Sequence, residues 1–338
     1  MVPTNESHGR KLLFRLPKGI RHNRSKKPRA DAAAVFFIGQ QALMILIAGS
    51  SNLDFVVRAH HIPAPGETVL GQDFQTFPGG KGANQAVACA RAGGAATHFL
   101  TGLGADAFAV PLEASLAGAQ VQLHAVRPAN QPTGTAFICV SDAGENAITV
   151  APGANSSLRP EHLPPLQGFS HLLMQLEIPL DTVQAYAQAA HAAGVTVVLN
   201  AAPARALPQS LLDVVDVLIV NEGELAALTG PVGDTAARMA MLSSATVVVT
   251  LGARGCVARH HGRVYEQVAF AVDVVDSTGA GDTFCGALLA AWSAGADMAA
   301  ALRRASAAAA LACTRMGAQS SIPHVSEVDQ FLHQHPPL

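Results

Sequence analysis

Residues 276–286 read DSTGAGDTFCG. A strand-like run, Val272 to Val275, leads into a glycine-rich turn, and Asp282 sits in the opening of an Ala- and Leu-rich helix predicted over 281–294. Such a turn leaves several backbone N–H groups unpaired at the positive end of a helix dipole, which makes an anion site. A carboxylate beside an anion site is electrostatically odd unless it has chemistry to do. A general base next to a transferring phosphoryl group has that chemistry. The plain alternative is a helix start with Asp282 as a favourable first-turn acid.

A second stretch with chemical content is PGGKGANQA, residues 78–86. Gly79, Gly80 and Gly82 allow close backbone approach to a ligand, and a helix predicted over 83–92 follows at once. Asn84, one turn in, can present its amide to hydroxyls. Lys81 is either a ligand contact or a solvated loop cation. Further polar residues close predicted strands: Asn52 and Asp54, Glu177 and Asn200, NEGE at 221–224, and Thr250 with the LGARG turn. Asn221 and Glu224 are three apart at a helix start, so they can face one point or form a capping box. Thr250, Gly252 and Gly255 suit a nucleotide pocket or a tight hairpin. In open α/β sheets the carboxyl edge of the strands is where ligands bind, and these positions are compatible with one long cleft.

Several chemistries are excluded. No GxxxxGK[ST] run is present, no GxGxxG opens the first strand, HExxH and GxSxG are absent, and the histidines show no metal-site spacing. A net charge of −2 argues against nucleic acid or an anionic membrane as the main partner. Cys89, Cys139, Cys256, Cys285 and Cys313 sit in apolar contexts without paired spacing, which predicts reduced thiols in the cytoplasm.

The elements that must position these residues follow an α/β pattern. The chain has 338 residues, 49 % of them hydrophobic, enough to bury a substantial core. Residues 1–43 are strongly basic and acid-poor and are expected to form an unstructured extension, with Met44 a candidate for the true start. Ile45 to Ala48 reads as a buried strand. Strands over 55–60 and 69–77 have no room between them for a crossover helix and are expected to leave the main sheet as an antiparallel excursion. Short strands over 121–126, 135–140 and 147–150 are expected to join them in a small lid sheet that excludes water. From about 170, strands alternate with helices as in a doubly wound sheet. Helices over 281–294 and 298–313 close the fold, and 333–338 is expected to fray.

GGKGANQA at 79–86 and DSTGAGDTFCG at 276–286 resemble the two signature motifs of the ribokinase-like (PfkB) carbohydrate kinases, and the resemblance runs from about 44 to 332. GSSNLDF at 49–55, PAPGET at 63–68, QLE at 175–177, NAAPAR at 200–205, NEGE and TLGARG add to it. The resemblance implies a three-layer fold with a mainly parallel sheet and a small β lid, and ATP-dependent phosphorylation of ribose at O5. It implies Asp282 as the base and the N–H groups of Gly279, Ala280 and Gly281 as the anion hole. It implies sugar contacts from Asn52, Asp54, Gly80, Lys81, Gly82, Ala83, Asn84 and Glu177. Nucleotide contacts would come from Asn221, Glu224, Thr250, Leu251, Gly252, Ala253, Arg254, Gly255, Gly281 and Ser306, with Glu224 organising magnesium through water. Asp276 and Thr278, with carbonyls of Cys313, Met316 and Ala318, would hold a monovalent cation, usually potassium in this family. A homodimer through the lid sheet is implied as well.

The acceptor could also be deoxyribose, fructose, a keto-deoxy sugar or a nucleoside. A nucleoside would need an apolar slot for its base, for which Phe55, Phe77 and Phe137 are available. A sugar-sensing protein on the same fold would be expected to lack the base or the anion hole, and both are intact.

Overall fold

In the computed structural model the described residues are 44–336, so the basic extension expected over 1–43 lies outside them. Strand β1 (Met44–Ala48) alternates its apolar side chains between two cores: Ile45 and Ile47 pack on one side, Leu46 and Ala48 on the other. A strand apolar on both faces must be covered on both, and this fixes a three-layer arrangement.

The chain leaves the sheet through β2 (Asn52–Ala59) and β3 (Gln72–Gly79), enters helix α1 (Lys81–Arg91), and returns as β4 (Thr97–Gly102). Helix α2 (Ala109–Gly118) leads to β5 (Gln122–Val126), followed by β6 (Gly134–Ser141) and β7 (Asn146–Ala151). The alternation then becomes regular: β8 (Phe169–Met174), α3 (Leu180–Ala192), β9 (Thr196–Asn200), α4 (Gln209–Leu212), β10 (Val217–Asn221). Helices α5 (Glu222–Thr229) and α6 (Thr235–Ala240) precede β11 (Thr246–Thr250), and β12 (Cys256–His260) and β13 (Arg263–Gln267) form a hairpin. Helices α7 (Ala280–Ser293), α8 (Met298–Cys313) and α9 (Val325–Gln334) end the described chain.

The large sheet has the order β13-β12-β11-β10-β9-β8-β1-β4-β5, parallel except for the β12 and β13 edge. The connections reverse direction at β1, which pairs with both β8 and β4, so a crevice opens past its carboxyl end. The small sheet, β3-β2-β6-β7, is built on the antiparallel β2–β3 pair and the parallel β2–β6 pair.

Three expectations are corrected, and one strand is new. The strand at 122–126 belongs to the large sheet, because the intervening α2 is a crossover and makes β5 a parallel neighbour of β4. Val272 to Val275 is not a strand. Val274 and Val275 are exposed, and the Val275 N–H donates to the Cys313 carbonyl at the end of α8 (2.8 Å) instead of to a ladder. Strand β13 was not anticipated, although the HHG turn at 260–262 followed by RVYEQ carries a hairpin pattern. Helix α9 continues to Gln334, so residues 333 and 334 are helical and not frayed.

Candidate active site

Gly279 caps helix α7, and its left-handed φ of 73° turns the chain into the helix. The Ala280 N–H donates to the Ser277 carbonyl at 3.2 Å, so it is occupied within the turn. Gly281 and Asp282, at the second and third helical positions, have no carbonyl four residues back inside the helix and are left for a ligand. A Cβ at Gly281 would meet nothing within 4 Å, so this backbone is open to close approach.

The Asp282 carboxylate is buried, and neighbouring residues of α1 hold both its oxygens. The Asn84 amide donates to Oδ2 at 3.0 Å, and the Gln85 amide donates to Oδ1 at 2.8 Å. The Oδ1 atom of Asn84 is buried with no partner, an acceptor pointing to a hydroxyl donor from outside the chain. Gln85 also donates to Asn200 Oδ1 (2.9 Å) and accepts from the Gln175 amide (2.5 Å), while Asn200 donates to the Ile219 carbonyl (3.1 Å).

Around this carboxylate lie the residues predicted to meet a sugar. Ser50 Oγ donates to Glu177 Oε2 at 2.5 Å, and the Lys81 N–H donates to the same atom at 3.2 Å. The Ala83 N–H donates to the Ser50 carbonyl (2.9 Å), tying the start of α1 to the β1–β2 turn. Gly82 lies so close to that turn that a Cβ would stand 2.7 Å from the Ser50 nitrogen. Gly80, with φ 89°, is the residue that turns β3 into α1, and a Cβ there would meet the Asn52 nitrogen at 2.7 Å. Asn52 Oδ1 accepts from Asn155 (2.8 Å), a buried residue that also exchanges hydrogen bonds with the Ser51 backbone.

The electrostatics are those of an acceptor-rich pocket. Burial, then the charges of Glu177 and Asp282, push the Asp54 carboxyl up to about 7. Asp282 first, then Glu177 and Glu224, hold Lys81 above its ordinary value against the opposing effect of burial. Burial raises Glu224. Three carboxylates, Asp282, Glu177 and Glu224, act on one lysine, so a ligand rich in hydroxyl donors suits the site better than an anion on this side of it.

The adjoining cavity, about 150 Å3, is lined by Lys81, Asn200, Asn221, Glu224, Thr250, Gly279, Gly281 and Asp282 among others. Asn221 and Glu224 form a reciprocal capping box, each backbone N–H donating to the other's side chain at 2.8 Å. The two expectations for this pair are thus compatible: the box fixes Glu224 at the cavity wall. Leu251 to Gly255 form a tight hairpin turn, the Leu251 N–H donating to the Gly255 carbonyl (2.8 Å). Ala253 is exposed in it, and Arg254 pairs with Glu222 at 2.5 Å. This turn and Ser306, which lies against Cys256 Sγ (3.8 Å), are not among the lining residues.

In the predicted cation loop, Asp276 Oδ1 accepts from the Thr278 N–H (2.9 Å) and Oγ1 (2.7 Å), and Oδ2 accepts from the Gly317 N–H (2.9 Å). These bonds, led by that of the Thr278 hydroxyl, hold the Asp276 carboxyl below its ordinary value despite its burial. The Met316 and Ala318 carbonyls each accept one hydroxyl, from Ser320 and Ser321, and keep a lone pair. The Cys313 carbonyl accepts from both Val275 and Asp276 and has none to offer. Sequence reasoning missed Ser50 and Gln85, neutral polar residues inside the GSSNLDF and GGKGANQA stretches, and Asn155, which lies in none of the quoted motifs.

The family model described as pfkB family carbohydrate kinase matches residues 42–325. A ribokinase of Haemophilus influenzae is 39 % identical over 300 residues, covering 85 % of this chain and 98 % of that protein. The crystal structure of a Thermotoga maritima ribokinase superposes with a TM-score of 0.80 at 36 % identity, covering 86 % of this chain and 99 % of that one. The Arabidopsis thaliana ribokinase complexed with ribose and ATP gives 0.79 at 34 % identity, with the same coverage. A buried carboxylate at a glycine-rich helix start, a separate small sheet beside the large one and these likenesses along the folded length have one reading: the chain belongs to the pfkB family of carbohydrate kinases.

Proposed function

We propose that this chain transfers the γ-phosphoryl group of ATP to O5 of D-ribose, giving ribose 5-phosphate and ADP. The observation that carries the reading is the Asp282 carboxylate, buried and oriented by two amides, at the mouth of the α7 N-terminus. In the proposed step Asp282 takes the O5 proton as O5 attacks phosphorus, and the bond to the ADP oxygen breaks. The N–H groups of Gly281 and Asp282 and the α7 dipole stabilise the charge spread over the transferring group. Asn84, through its unpaired Oδ1, together with Asp54 and Glu177, accepts from the sugar hydroxyls. Lys81 balances the carboxylates between the two substrates.

Among the described residues no three His, Cys, Asp or Glu side chains gather into a metal cage. Glu224 at the cavity wall fits a magnesium ion held mainly by nucleotide phosphates and water. Magnesium supplies neutralisation of the β- and γ-phosphate oxygens. The Asp276 loop, with the Met316 and Ala318 carbonyls, fits a monovalent cation, and Cys313 does not belong to its donor set.

Asp54 faces Phe77 across the β2–β3 pair, whereas Phe55 stacks on Phe137 (5.4 Å) at the neighbouring register position. Directly opposed residues share a face and adjacent ones alternate, so only Phe77 lies on the Asp54 side. This favours a bare sugar over a nucleoside. The opposite face, with Phe74 64 % and Phe137 53 % exposed, is the surface a second copy would cover in a homodimer. Five free cysteines favour a reducing compartment such as the cytoplasm. The test is a steady-state panel with magnesium and ATP: D-ribose, 2-deoxyribose, fructose and adenosine, each with and without potassium. The highest kcat/KM on ribose with potassium stimulation is the expected result, and turnover of adenosine with ribose idle would overturn the acceptor assignment.

A further inference from the structure

Gln85 is completely buried and has every hydrogen-bonding atom of its amide engaged. The polarity of that amide is set by neighbouring protein groups. The Ile219 carbonyl can only accept, so Asn200 must turn its NH2 toward it and its Oδ1 toward Gln85. Gln85 must then present its NH2 to Asn200, and the second hydrogen of that NH2 falls on Asp282 Oδ1. On the far side its Oε1 is fixed by the Gln175 amide. A backbone carbonyl of β10 thereby dictates, through two side chains, that Asp282 receives a donor and never an acceptor. Such a donor locks the rotation of the carboxylate.

We infer that Gln85 is a positioning residue for phosphoryl transfer: it holds the Asp282 carboxylate aimed, touching neither substrate. The inference rests on Asp282 being the base, as proposed above. Burial in a packed core would by itself account for an apolar residue at this position, not for a fully satisfied amide with one defined polarity.

The test is a double-mutant cycle between Gln85→Met, which keeps shape and loses both donors, and Asp282→Asn. In the wild-type background Q85M is expected to lower kcat by about 10- to 100-fold, with the sugar KM changed by less than about threefold. In the D282N background Q85M is expected to change kcat by less than about twofold, because the group it serves is gone. A loss of the same size in both backgrounds would mean a purely structural role, and a loss confined to KM would mean a substrate contact. Either result overturns the inference, as does a Q85M kcat equal to wild type. Gln85→Glu, isosteric but with a carboxylate facing Asp282, is expected to lose at least as much kcat as Q85M and serves as the second variant if Q85M unfolds. The wild-type measurement separates the two levels. An active wild type with an unaffected Q85M sinks only this role, whereas a wild type that phosphorylates no sugar sinks the proposed function with it.

Discussion

Gly286 lies one helical turn beyond Asp282, and a Cβ on it would stand 2.6 Å from the Gln85 carbonyl oxygen. It would also press on the Cys89 nitrogen at 2.6 Å, so α7 crosses α1 with backbone against backbone. Only at that separation can Asn84 and Gln85 reach the Asp282 carboxylate. The crossing continues at Gly93, where a Cβ would meet that of Ala290 at 2.1 Å. Gly286→Ala is expected to push the helices apart, with a stability loss of about 1–3 kcal/mol and a fall in kcat of about 10- to 100-fold. Thermal melts beside steady-state kinetics check it. An active variant with unchanged kcat would show that the amide clamp does not depend on this crossing.

Replacing the carboxylate itself is a cleaner probe. Asp282→Asn keeps volume and removes the proton acceptor, so kcat is expected to drop by about 10^2- to 10^4-fold. Ribose and ATP affinities, read by calorimetry, should stay within a few fold, since both lie against other groups. If binding disappears along with turnover, the assignment of Asp282 as base gives way to a binding role.

Much of this site was legible in the sequence because it is built from turns and strand ends, where residue type carries local meaning. DSTGAGD and GGKGAN announced a helix start and a close backbone approach without reference to anything distant. Asn221 and Glu224 were read as a capping pair or a shared site, and the structure makes the cap the means of placing Glu224. Gln85 stood one residue from Asn84 and went unread. Its role depends on Asn200, 115 positions away, and on the polarity of a carbonyl in β10. The strand at 122–126 was assigned to the wrong sheet because alternation fixes that a segment pairs, not with which neighbour. Val272 to Val275 had the composition of a strand but no partner within reach, and it went to the end of α8.

The Asp276 loop offers a prediction about ions. Its carboxylate receives three donors, from Thr278 and Gly317, so the loop closes on it with or without a guest. Asp276→Ala is expected to abolish stimulation by potassium and to cost about 1–2 kcal/mol of stability, because three donors lose their acceptor. Initial rates against potassium concentration provide the readout. Undiminished stimulation would place the cation elsewhere.

Asp54 ties stability to function through pH. Its carboxyl sits at about 7 against an ordinary 3.8, because it is buried beside Glu177 and Asp282. The folded state therefore keeps a proton that the unfolded chain releases between about pH 4 and 7. Where the folded state binds more protons, stability falls as pH rises. The Asp54 contribution is favourable at the acid end of that window and is lost through pH 7, by up to about 4 kcal/mol in this buried setting. Asp54→Asn removes the charge, so its melting temperature should match wild type near pH 4.5 and exceed it near pH 8. The same substitution should raise the ribose KM, since it replaces one of two acceptor oxygens by an NH2 donor. Gly79 gives an independent check: a Cβ there would stand 2.0 Å from Asp54 Oδ2, so Gly79→Ala should displace the carboxylate and raise KM in the same way. Melts of D54N and wild type across pH 4.5 to 8, set beside their KM values, decide the matter. Parallel melting curves would show that Asp54 stays ionised throughout, and the stability cost of the sugar site would then lie with other groups.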